Sequence, residues 1–152
     1  MSHVAAVKAY VTDLDACAAA CEEVGLELVL NQNSYRWFGQ WVNDYSGGVA
    51  AVSNGHDPKT FGQCVHAIRV KNGAGHEYEI GLVPRLDGGP GFELLYDNWC
   101  GGNGLEAKAG KGLVELKRAI SRVVTTRHLQ RQGYRVTRRV DERGRIHIGG
   151  IK

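Results

Sequence analysis

Apolar and polar positions along the chain fall into short alternating runs parted by glycine-containing corners, with two stretches of helical periodicity among them. Val4 to Val11 carries Val4, Val7, Tyr10 and Val11 with short polar breaks and predicts a first strand. Thr12 then precedes Asp15 by three residues, close to a capping box with Asp in place of Glu. Leu14, Cys17, Cys21 and Val24 recur at helical spacing until Gly25 offers a left-handed stop, which predicts a helix over about Asp13 to Val24. Leu26 to Leu30 reads as a second strand and completes a β-α-β opening.

From Asn31 to Gln63 the pattern is weakest, because Tyr35, Trp37, Phe38, Trp41 and Tyr45 are interleaved with Asn, Gln and Gly. Tyr35 to Val42 is read as a strand and Asp44 to Gln63 as a loop, long enough to imply function or an element the pattern hides. Alternation returns at Cys64 to Val70, Tyr78 to Val83 and Phe92 to Tyr96, with turn residues at Lys71 to Gly75 and Pro84 to Gly91. These predict three consecutive antiparallel strands. After the corner Asp97 to Gly104 comes a short turn, Leu105 to Ala109, cut off by Gly110 and Gly112. A long helix follows over Leu113 to Arg131, with Leu113, Leu116, Ile120, Val123 and Val124 as its core face. Gly133 ends it, and Arg135 to Val140 with Arg145 to Ile148 predicts a terminal hairpin. The whole reads as an α+β fold: an antiparallel sheet of about five to seven strands with two helices packed on one face.

A chain of 152 residues can bury one substantial core, so one domain over 1–152 is expected. Its 21 glycines sit in turn-like clusters without a fixed period, which excludes a collagen-like chain. No apolar run approaches the roughly 18 residues of a membrane span, and Met1-Ser2-His3-Val4 lacks the features of a signal peptide. A cytoplasmic protein without membrane contact is expected.

The net charge of +3 hides a split: residues 1–104 hold 6 Lys and Arg against 12 Asp and Glu, while residues 105–152 hold 13 against 4. An acidic body thus carries a basic C-terminal third. That third is either a docking surface for acidic or phosphate-bearing partners or simply a solvated helix face.

Met1-Ser2-His3, the β-α-β start, the strand Tyr78-Glu79-Ile80-Gly81-Leu82-Val83, the corner Asp97-Asn98-Trp99, and Gln132-Gly133-Tyr134 before an Arg-rich hairpin together resemble the hypothetical chloroplast reading frame thirty-five family of plastids, cyanobacteria, other bacteria and phages. The resemblance covers most of the chain and implies no established activity. It implies an accessory role beside an AAA-type ATPase. Cys100 departs from the family's aspartate-x-aromatic-glycine corner by standing between Trp99 and Gly101.

Four groups of residues could carry chemistry. Cys64, His66 and Cys100 offer zinc-type ligands but lack paired knuckle spacing, and Cys17 and Cys21 belong to an apolar helix face, so no metal or other cofactor is expected. His3, His66, Asp97 and Cys100 could form a small catalytic or ligand site at the corner; against this, Asp97 and Asn98 suit backbone capping and Trp99 suits a core plug. Gly101 to Gly112 with Lys108 and Lys111 has the ingredients of an anion nest without the hydroxyl of a P-loop. Lys117, Arg118, Arg122, Arg127 and Arg131 of the helix, with Arg135, Arg138, Arg139, Arg143 and Arg145 of the hairpin, could form one basic surface. Only Tyr134 is aromatic in that third, which favours an acidic protein partner over stacked single-stranded nucleic acid. The leading expectation is a non-enzymatic binding or accessory protein that uses this surface to dock an acidic protein or nucleic acid. The alternative is a small enzyme or ligand binder at the His3, His66 and Asp97 corner. Oligomeric state is open.

Overall fold

A computed structural model describes residues 4–39 and 55–152. Its elements are β1 (Val4–Val11), α1 (Leu14–Val24), β2 (Leu26–Val29), β3 (His66–Val70), β4 (Ile80–Pro84), β5 (Phe92–Asp97), α2 (Glu106–Ala109), α3 (Val114–Arg131), β6 (Arg135–Val140) and β7 (Ile146–Ile151). Five strands form one sheet in the order β1-β5-β4-β3-β2, and β6 and β7 form a second sheet of their own. Every neighbouring pair is antiparallel, so β1 and β2 run parallel at opposite edges. The β-α-β opening therefore spans the whole sheet, with the β3-β4-β5 meander filling the gap that α1 crosses.

The helix α1 starts one residue later than the capping pattern implied. Asp13, not Thr12, is the cap: its Oδ1 accepts the Ala16 N–H at 3.0 Å, and Gly25 closes the other end in the left-handed region. Cys17 and Cys21 of α1, Leu105 and Ala109 around α2, and Leu113 and Leu116 at the start of α3 cover one face of the sheet, against Val7, Leu26, Ile68, Ile80, Leu82 and Leu94. Each fully buried Leu or Ile there contributes about 1.5 to 3 kcal/mol. The buried residues of α3 are Leu116 and Ala119, with Ile120 packed at the margin, and Val124 is 45% exposed. Val124 leaves the expected core face because eight positions of helix rotate it about 80° from Leu116.

The opposite face is covered as well. Tyr35, Trp37 and Phe61 pack there on Val4, Val83 and Leu95. Gly81 makes room, since a Cβ at that position would stand 2.4 Å from the Tyr35 ring. The expected strand from Tyr35 to Val42 is not formed over 35–39; an isolated bridge pairs Ser34 with Gln63 just before it, and Tyr35 N–H donates to Gly62 C=O at 2.9 Å. These aromatic side chains go into covering the sheet, and the backbone follows them. Residues 40–42 of that expected strand lie outside the described residues, as does 44–54 of the expected loop; its remainder holds a 3-10 turn at Pro58–Thr60.

The α3 helix ends in a Schellman arrangement: Gly133 N–H donates to Gln130 C=O at 3.0 Å and Tyr134 N–H to Leu129 C=O at 3.0 Å. That reversal sends β6 back along α3. The hairpin reaches Ile151, longer than the expected stop at Ile148, and packs on α3 rather than joining the main sheet. Among the described residues no helix is long and apolar enough to cross a membrane.

Candidate binding groove

The hairpin turn is held by one carboxylate. Asp141 Oδ1 accepts the N–H groups of Arg143 and Arg145, each at 2.9 Å, while Oδ2 meets Arg145 Nε and His147 Nε2, each at 2.9 Å. The His147 bond and then the Arg145 amide hold the Asp141 carboxyl down at about 2. Gly144 supplies the left-handed residue the turn requires, at φ 76°. The turn is thereby fixed beside the first half of α3.

Between them lies a groove of about 750 Å³. Lys117, Arg118, Ser121 and Arg122 line it from α3, and Arg143 and Arg145 from the turn; Glu115 is the one carboxylate in its wall. Arg118 reaches Glu115 at 3.2 Å and Arg145 reaches Asp141, but both arginine side chains are more than 60% exposed, so these pairs are weak and exchangeable. Among the described residues no carboxylate pairs with Lys117 or Arg143. The excess of positive charge is concentrated in a concave place that the apolar Val114 and Ile146 also line.

The rest of the expected basic surface is distributed differently. Arg122 reaches Glu23 at 3.3 Å, Arg127 reaches Asp13 at 3.8 Å and Arg138 reaches Glu23 at 4.0 Å, so these arginines turn toward α1 instead of standing on a free outer face. Arg127 and Arg138 line a second, smaller groove of about 370 Å³ together with Glu23. Arg131 is exposed in the last turn of α3, where a cation suits the helix dipole, and Arg139 is exposed across the hairpin from His147. Lys108 runs beside Gly25 at the C-terminal end of α1. Lys111 is exposed in a 3-10 turn and is not among the residues that line the groove.

The expected anion nest is occupied by its own backbone. The N–H groups of Gly101, Gly102, Leu105, Gly110 and Leu113 donate to the carbonyls of Asn98, Trp99, Gly102, Glu106 and Gly110. Gly110 is required here for a different reason: a Cβ would stand 2.8 Å from the Glu115 nitrogen, and φ is 81°.

Among the described residues, His66, Asp97 and Cys100 of the corner constellation are not brought together. Asp97 is fully buried on the aromatic side of the sheet, where Oδ2 accepts Phe38 N–H at 3.1 Å and Oδ1 accepts Trp99 N–H at 3.0 Å. Trp99 stacks on Phe38 at 4.8 Å between centroids rather than plugging the core. His66 stands opposite Leu82 on the helix side, its Nδ1 accepting Asn31 N–H at 2.9 Å and its ring against Phe92. Cys100 is exposed at φ 50°, and Cys64 lies with the aromatic cluster, its Sγ 3.1 Å from the Gln32 carbonyl and its thiol pushed up to about 12 by burial. Cys64, His66 and Cys100 thus share no site, and among the described residues no three His, Cys, Asp or Glu side chains group as metal ligands. His3 lies outside the described residues.

Sequence reasoning missed the pair of buried His56 Nε2 with partly buried Glu93 Oε2 at 2.5 Å, and the part Glu23 and Asp13 play in neutralising the arginines of α3. Opposite charges at helical spacing on two amphipathic helices would have been the signal for the second. No family model, curated protein or solved structure matches the chain.

Proposed function

We propose that this chain is a non-enzymatic accessory protein that docks an acidic segment of a partner protein in the groove between α3 and the turn of the hairpin. One observation carries the reading: five cations, Lys117, Arg118, Arg122, Arg143 and Arg145, line one concave wall, and among the described residues two of them, Lys117 and Arg143, pair with no carboxylate. Carboxylates entering that wall gain charge-assisted hydrogen bonds in a partly enclosed place, where they count for more than on an open surface. The apolar lining at Val114 and Ile146 suits a peptide with alternating character better than a uniformly charged phosphate backbone. An accessory role agrees with what the family resemblance implies and makes an AAA-type ATPase a partner to try. The test compares a fluorescent polyglutamate peptide with duplex DNA at equal ionic strength. Tighter binding of the peptide is expected; tighter binding of DNA would move the function to nucleic acid.

A further inference from the structure

We infer that the acidic segment docks as an added β-strand on the open edge of β7, hydrogen-bonded to Ile146, Ile148 and Gly150. The inference rests on the groove reading and names the conformation of what the groove binds.

The phase of the hairpin is set at its turn. Asp141 N–H donates to Arg145 C=O at 2.9 Å, and the register then pairs Arg139 with His147, Thr137 with Gly149 and Arg135 with Ile151. In an antiparallel pair hydrogen-bonded and non-hydrogen-bonded positions alternate, so Arg145, His147, Gly149 and Ile151 turn their backbone groups toward β6. The Thr137 hydroxyl, 3.3 Å from the Gly149 carbonyl, agrees with that phase. Ile146, Ile148 and Gly150 consequently turn N–H and C=O outward. Among the described residues no further strand pairs with that edge.

The two outer edges of the hairpin are not equivalent. Beside β6 Arg138 reaches Glu23 of α1, and three arginines guard the strand, the usual protection of an exposed edge. In contrast, β7 reads Ile-His-Ile-Gly-Gly-Ile, with no permanent charge along the strand. The hairpin takes support from α3 on one face, and a third strand would add ladder hydrogen bonds along its open edge.

The occupant follows from charge. Ile146 begins β7 and also lines the basic groove, so the open edge leads directly into it. A strand added there directs every second side chain toward Lys117 and Arg118, so acidic residues at alternate positions fit. A second copy of this chain does not, since its own hairpin brings six cations against two carboxylates over residues 135–152.

The experiment uses the full chain and a peptide of about eight residues alternating Glu and Thr. Amide hydrogen exchange by NMR is read with and without it, and its affinity is compared with two analogues N-methylated on one or the other alternate set of amides. Slowed exchange at Ile146, Ile148 and Gly150 is expected, with one analogue losing at least about tenfold in affinity and the other close to the parent peptide. Salt-sensitive binding of all three peptides without protection of those amides would overturn strand addition and leave acidic docking standing. No binding of any of them, nor of polyglutamate, would overturn both. A dimer of the free protein in sedimentation that protects the same amides would give the edge to a second copy and also overturn the inference.

Discussion

Arg122 donates from Nη2 to Glu23 Oε2 at 3.3 Å, across the seam where α3 lies on α1. Glu23 also meets Arg138 of the hairpin at 4.0 Å, so one carboxylate of α1 faces both the long helix and the hairpin of the basic third. Arg122 is 20% exposed there, whereas Arg118 is 65% exposed. Arg122→Ala is therefore expected to cost about 1 kcal/mol and Arg118→Ala less than about 0.5 kcal/mol in urea unfolding. Equal costs would mean that the seam pair contributes nothing.

The burial of α3 gives a second contrast. Leu116 is fully buried and Val124 is 45% exposed. Leu116→Ala should destabilise by roughly 2 to 5 kcal/mol, and Val124→Ala by no more than about 0.5 kcal/mol. Thermal unfolding of the two variants measures the difference, and a costly Val124→Ala would show that this flank of the helix is covered.

Asp97 is read as a structural carboxylate. Two backbone N–H groups, from Phe38 and Trp99, end on it in a fully buried place. Asp97→Ala leaves both donors unpaired and should cost roughly 1.5 to 3 kcal/mol or more. A variant as stable as the parent would return Asp97 to the list of residues kept for chemistry.

The Asp141 turn makes a pH-dependent element. Its carboxyl titrates at about 2 in the folded protein, below the roughly 3.9 of a free Asp. A depressed value means that the stabilisation is complete above the unfolded value and is lost as pH falls through the interval down to about 2. The Arg143 and Arg145 amides should hold their NMR shifts down to about pH 4 and move together below it. A carboxyl resonance titrating at or above the free value would contradict the turn geometry.

Strand alternation and helical spacing made most of this fold legible. The meander, α1, the interruption at Gly110 and the stop at Gly133 all follow from local pattern, because each reflects a side chain that must face a core or a φ that only glycine tolerates cheaply. Tyr35 and Trp37 misled because aromatic residues favour strands and also favour covering one, and spacing does not separate the two. The basic third was legible as charge but not as a surface. Which arginines turn inward depends on Asp13 and Glu23, about a hundred residues earlier in the chain, and no local pattern carries that. Arg143 and Arg145 became groove residues through Asp141, whose neighbours in sequence looked like an ordinary turn.

The groove itself is tested most directly by reversing its two cations that pair with no carboxylate among the described residues. Lys117→Glu with Arg143→Glu leaves the core and the Asp141 turn in place, and circular dichroism should be unchanged. A labelled polyglutamate peptide should bind the parent chain, and binding should weaken as salt shortens the screening length from about 30 Å at 0.01 M to about 8 Å at 0.15 M. The double variant should lose at least about tenfold in affinity at low salt and most of the salt dependence. Parent and variant binding the peptide equally, or a parent that does not bind it at low salt, would contradict docking in the groove.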